Sequence, residues 1–145
     1  MTPADYQPVK VLALSSAEPD HNCLQHILDH TSWSLWPARN IADAVATVLR
    51  LRIPVVLTSE SLPDGDWKEL LSQLQCLPEP PAVILMTAKA DDRLWSDVLE
   101  CGAYDVIPKP FDKTEVFRIV SLAWRQWQNH WSKASPLRVV LKASA

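Results

Sequence analysis

The sequence predicts an α/β domain in which a doubly wound, five-stranded parallel sheet lies between two layers of helices. Two observations carry this. Short apolar runs alternate five times with longer stretches whose apolar residues recur at helical spacing. That alternation marks parallel strands joined by crossover helices. Most of the runs are also apolar throughout, as strands buried on both faces must be. The length of 145 residues suits one domain with one core.

The elements follow in order. Val9–Leu14 (VKVLAL) is the first strand, and a polar loop, Ser15–Asp20, follows it. Cys23, Leu24, Ile27 and Leu28 recur at helical spacing and predict a helix over His21–Asp29. Trp33–Leu35 alternates apolar with polar and predicts a short strand that Pro37 ends. Ala38–Leu51 predicts a helix with Ile41, Ala44, Val45, Val48 and Leu49 on one stripe. Pro54–Leu57 is the third strand, and Asp64–Gln75 is a helix burying Trp67, Leu70, Leu71 and Leu74. Pro80 and Pro81 break the chain before a fourth strand, Ala82–Met86. Asp91–Glu100 predicts a helix with Leu94, Trp95, Val98 and Leu99 inward, and Gly102 suits a left-handed turn behind it. Tyr104–Ile107 is the fifth strand. Phe111–Ser132 is a long last helix with Asp112 as its N-cap. The domain is expected to fill residues 1–133. Residues 134–145 form a tail, where Leu137–Leu141 could make a short strand.

Composition removes several function classes. A net charge of −3 gives no electrostatic footprint for nucleic acid or a membrane surface. No stretch has signal-peptide or membrane-spanning character. Cys23, Cys76 and Cys101 stand far apart, without metal-ligand spacing, so a reduced, cytoplasmic protein with buried thiols is expected. Two glycines are too few for a fold built on glycine-rich phosphate loops. His26 and His30 are four apart but lack a third ligand, and read as surface.

In a doubly wound sheet the ligand crevice lies at the carboxyl ends of the strands. The positions to inspect are therefore Ser15-Ser16, Thr58-Ser59, Thr87-Ala88 and Pro108-Lys109-Pro110. Three stretches around them resemble the receiver domain of bacterial response regulators, the CheY-like family. Pro54–Leu71 (PVVLTSESLPDGDWKELL) has an apolar strand, a site residue, a proline four positions later, then a polar turn and a helix. Ala82–Ala90 (AVILMTAKA) is a strand ending in Thr-Ala. Gly102–Phe111 (GAYDVIPKPF) ends in Lys-Pro-Phe, the most specific mark. The resemblance spans roughly residues 8–130.

The resemblance implies a chemistry and, at the same time, its loss. The family holds Mg²⁺ with two acidic residues after the first strand and an aspartate after the third, which also accepts the phosphoryl group. Hard oxygen anions suit that cation, and a carboxylate gives a labile acyl phosphate. A Thr or Ser and a Lys then bind the phosphoryl oxygens. Carried onto this chain, the acidic pair falls on Ser15 and Ser16, and the phosphoacceptor on Ser59. The hydroxyl partner falls on Thr87 and the lysine on Lys109. All three carboxylates are replaced by serines. Trp67 stands where the family has a glycine, and its ring could cover the site.

The surroundings carry further expectations. Lys109 should turn outward or find another acceptor, and the Lys109–Pro110 bond is commonly cis in the family. Glu60 should face away from the site, since side chains alternate along extended chain. Asp64 and Asp66 should be solvated turn formers. Ser59 should only hydrogen-bond locally rather than serve as a kinase target. No Mg²⁺ or other cofactor is expected.

The last helix adds a second feature. Phe117, Val120, Trp124, Trp127 and Trp131 are spaced like a heptad seam. Trp127 and Trp131 are expected to project past the domain edge, which makes Trp124, Trp127 and Trp131 candidates for a partner or dimer contact. The expected function is a phosphorylation-independent interaction module of two-component signalling, not an enzyme, in one fixed shape. The alternative is a receiver whose Mg²⁺ and phosphate site is rebuilt from Glu18, Glu60 or Asp64. A small flavodoxin-like enzyme has less support, because no nucleophile–base pair is present.

Overall fold

The computed structural model describes residues 9–29, 31–89 and 91–130. The tail, with its expected strand, Trp131 and His30 lie outside the described residues. Five parallel strands, β1 (Lys10–Leu14), β2 (Ser34–Ala38), β3 (Val55–Ser59), β6 (Ala82–Thr87) and β7 (Asp105–Pro108), form one sheet in the order β2-β1-β3-β6-β7. A two-stranded turn, β4 (Ser61–Leu62) with β5 (Gly65–Asp66), follows β3. The helices are α1 (Glu18–Leu28), α2 (Ile41–Leu51), α3 (Trp67–Gln75), α4 (Asp92–Glu100) and α5 (Lys113–Gln128).

The doubly wound, three-layer α/β architecture is the predicted one. Its cause is visible in the strands. Leu12, Leu14, Val56, Val83, Leu85 and Val106 enter a core with α2, α3 and α4. Their neighbours Val11, Ala13, Leu57, Ile84, Met86 and Ile107 enter a second core with α1 and α5. Successive side chains point to opposite faces, so a strand covered on both sides must be apolar at every position.

Several boundaries differ from expectation, each for a local reason. Helix α1 starts at Glu18 with proline in its first turn, where the missing N–H costs nothing. Strand β2 runs on through Pro37 to Ala38; it is the edge strand, where a proline removes no second ladder partner. Helix α2 therefore begins later, after Asn40, whose side chain accepts the Asp43 N–H. Helix α3 is capped by Asp66 in the same way. Asp112 stands at the N-cap of α5, but its side chain makes no capping bond. Gly102 closes α4 at φ +96°, and the Lys109–Pro110 bond is cis, both as expected.

Some burial expectations fail. On α4, Val98 is fully buried, but Trp95 and Leu99 are exposed at 36% and 55%. Leu49 on α2 is also exposed. The apolar stripes of these helices are wider than the sheet surface beneath them, so their outer members stay in solvent. The thiols are not buried either. Cys23 and Cys76 are exposed and Cys101 is half-buried, because each sits at a helix position turned from the sheet or at a helix end.

Substitution separates the two kinds of leucine. Leu57→Ala should cost about 2–5 kcal/mol of unfolding free energy. Leu99→Ala should stay within about 0.5 kcal/mol. Urea denaturation measures both.

Candidate functional site

The carboxyl ends of β1, β3, β6 and β7 bring Ser15, Ser59, Thr87 and Lys109 to one edge of the sheet. Ser15 is 1% exposed, Thr87 3%, and Ser59 and Lys109 are half-buried. Ser16 is exposed and turned out. At Ser59 the local hydrogen bond is made by its carbonyl, which accepts the Thr58 Oγ1 hydroxyl at 3.0 Å.

Lys109 does find another acceptor. Its Nζ lies 2.8 Å from Asp20 Oδ2, and this carboxylate is only 12% exposed. The same oxygen accepts the Ser15 hydroxyl at 2.7 Å. Ser15 Oγ in turn accepts the Ala17 N–H at 3.0 Å, and the buried His21 donates its Nε2–H to the Ser15 carbonyl at 2.7 Å. The first turn of α1 thus delivers one carboxylate to the position between Ser15 and Lys109. The sequence reading missed Asp20. The signal was the acid following Pro19, but it turns toward Ser15 only because α1 begins three residues earlier than the periodicity suggests.

Thr87 is equally occupied. Its hydroxyl donates to Glu60 Oε1 at 2.5 Å and accepts the Lys89 N–H at 3.0 Å. Glu60 therefore does not face away. The chain leaves β3 for the tight β4–β5 turn directly after Ser59, where Trp67 N–H bonds the Glu60 carbonyl at 3.0 Å, so extended-strand alternation stops applying. The Lys109 N–H bonds the Thr87 carbonyl at 2.8 Å and ties the two strand ends together.

The other nearby acids are committed elsewhere. Glu18 pairs with Arg39, whose hydrogen bond and charge hold the carboxyl below its usual range. Asp64 accepts the Ile41 N–H at 2.8 Å and the Ala42 N–H at 3.2 Å, at the start of α2. The bond from Ile41 above all lowers its pKa from the ordinary 3.8. Asp64 is thus a cap for a neighbouring helix, not a free turn former. Trp67 is 5% exposed and packs into the core beside α2 and α3, so its ring is part of the interior.

Among the described residues, no group of three or more His, Cys, Asp or Glu could hold a metal ion. The donor set that remains, serine hydroxyls beside an ion-paired Asp20 and a hydrogen-bonded Glu60, does not fit Mg²⁺, which favours oxygen anions free to coordinate it. On α5, Trp124 packs against the core beside α1. Trp127 is half-buried, with the Arg52 guanidinium 6.0 Å from its ring centroid. No described helix is long and apolar enough to cross a membrane.

Two outcomes follow from this geometry. A double-mutant cycle of Asp20→Ala and Lys109→Ala should show a coupling of roughly 1–2 kcal/mol, as expected for partners in one network. Asp64→Ala should lower the unfolding midpoint at neutral pH. A lowered native pKa gives stability that is fully present above 3.8 and is lost as pH falls through the native value. The gap between wild type and variant should therefore close in acid, and a pH series of melting curves reads it.

Comparison with known proteins bears on this site. The sequence model of the response regulator receiver domain matches residues 18–121. The chain is 31% identical over 118 residues to the probable transcriptional regulatory protein TcrX of Mycobacterium tuberculosis, covering 80% of this chain and 50% of that one. It is 30% identical over 129 residues to the regulatory protein VanRc of Enterococcus gallinarum, covering 88% and 55%. The chain spans about half the length of these relatives. Among solved structures, the signal receiver domain of an HD domain-containing protein from Pseudomonas fluorescens superposes with a TM-score of 0.76 at 24% identity, over 85% of this chain and 91% of that one. With the sheet order, the Lys109–Pro110 bond and the aligned strand ends all in place, the chain belongs to the response regulator receiver domain family of two-component signalling.

Proposed function

We propose that the chain is a pseudo-receiver, a regulatory module that works by protein contact without accepting a phosphoryl group and without Mg²⁺. One observation carries this reading. Both groups that would meet a phosphoryl oxygen already hold a carboxylate, Lys109 that of Asp20 and Thr87 that of Glu60. Neither carboxylate comes from a position where the family keeps its acidic triad. An incoming anion would have to displace a half-buried ion pair and a hydrogen bond, and no carboxylate stands at Ser59 to receive it.

A switch also needs a ligand that binds two states differently. Here the internal carboxylates hold Thr87 and Lys109 in one arrangement, which suits a module of fixed shape read by a partner. Relatives named as transcriptional regulators supply a setting, a cytoplasmic signalling protein in which this domain carries regulatory contacts. No catalytic step is assigned to it.

Amide NMR titration tests the proposal, first with Mg²⁺ and then with beryllofluoride as phosphoryl mimic. The expected outcome is no saturable shift at Ser15, Ser16, Ser59, Thr87 or Lys109. Saturable shifts there, or Mg²⁺-dependent labelling by a small phosphodonor, would overturn it in favour of a site rebuilt around Asp20 and Glu60.

A further inference from the structure

The Ser15 hydroxyl and the Lys109 ammonium point at one atom. Both reach Asp20 Oδ2, the hydroxyl at 2.7 Å and Nζ at 2.8 Å. The hydroxyl is fixed, because Ser15 is buried and its other polar groups are spent. Its N–H bonds the Ala38 carbonyl at 3.1 Å, and its carbonyl takes the His21 Nε2–H at 2.7 Å. Its Oγ takes the Ala17 N–H at 3.0 Å. With Oγ held by that bond, the hydroxyl hydrogen is turned to the carboxylate.

Two donors, one of them cationic, that converge on one oxygen from separate elements make an oxyanion site. Ser15 brings the hydroxyl from the end of β1, and Lys109 brings the charge from just beyond β7. The family resemblance pairs Lys109 with Thr87 for the phosphoryl group and implies no donor at position 15. The Ser15–Lys109 pair is therefore a different site. Side-chain exposures of 12% for Asp20 and 27% for Lys109 leave little water around it, which strengthens its bonds. Its occupant belongs to the chain. Asp20 enters from the first turn of α1, and that turn is tied down on both sides. Glu18 pairs with Arg39 beyond β2, and His21 bonds Ser15.

We propose that Ser15 and Lys109 form a binding site for a small carboxylate and that Asp20 is its tethered resident, an autoinhibitory ligand that keeps external carboxylates out; this rests on reading the sheet edge as occupied from within. The tether sets the balance. A group held in place by its own chain competes at an effective concentration on the order of millimolar or more. A free carboxylate of equal intrinsic affinity does not displace it below that concentration. Cutting the Asp20 side chain back to its β-carbon removes the resident and leaves a space of carboxylate size between the two donors. Formate, a carboxylate without a chain, fits that space and gives both donors an acceptor again.

The test uses the full chain, as wild type, as Asp20→Ala and as Asp20→Ser, whose hydroxyl suits the start of a helix. Formate is titrated without Mg²⁺, and NMR follows the Lys109 ammonium and the Ser15 amide. The variants should show saturable shifts at both, with formate bound at least about tenfold tighter than by the wild type. Formate should also raise the melting midpoint of the variants and leave that of the wild type unchanged. Adding Lys109→Met to Asp20→Ala should abolish the saturation, and adding Ser15→Ala should weaken it several-fold. No saturation in a folded variant, or saturation that survives Lys109→Met, overturns the proposal. So does a wild type that binds formate as tightly as the variants or that shows saturable shifts at low formate, an arm that needs no variant to fold. Failure of the pseudo-receiver reading looks different, because it shows in the wild type with Mg²⁺ or beryllofluoride and without formate.

Discussion

Burial of the sheet on both faces is the constraint from which the rest follows. Strands β1, β3 and β6 have helices above and below, so every apolar side chain along them is committed to a core. Polar chemistry is left only at the strand ends, where the chain turns out of the sheet. Ser15, Ser59, Thr87 and Lys109 converge for that reason, whatever they do there.

At the carboxyl ends, electrostatics decides the details. A half-buried ammonium without a partner is costly, and three serines cannot neutralise it. The fold answers from the nearest available element, the first turn of α1, with Asp20. Glu60 serves the Thr87 hydroxyl from the turn after β3. Carboxylates thus reach this edge from α1 and from the chain just after β3. The Lys109 ammonium is thereby paired with a carboxylate, and the Thr87 hydroxyl has an acceptor. The same logic places Asp64 on the open N–H groups of α2, where a helix start favours an anion.

The two tryptophans of α5 show how far a spacing argument reaches. The seam Phe117, Val120, Trp124, Trp127 was legible as a helical face. Whether that face met the sheet, a partner or solvent was not. Trp124 meets the core, and Trp127 meets Arg52, which arrives from α2 at the end of a left-handed turn. On α4 the reverse holds. Trp95 and Leu99 share the apolar stripe of Val98, yet they stand in solvent because the sheet is narrower than the stripe.

The sequence by itself determined the architecture, the order of elements and the positions of the strand-end residues. Apolar periodicity and turn residues are local signals, and they depend on neighbours within a few positions. It also placed Ser15, Ser16 and Ser59 at the strand ends, because residue identity needs no fold. Only the tertiary structure decided which carboxylate answers Lys109 and which answers Thr87. Those choices depend on where α1 begins and on the path of the chain after Ser59. Both are settled when segments far apart in sequence, such as Asp20 and Lys109, are packed against one sheet edge.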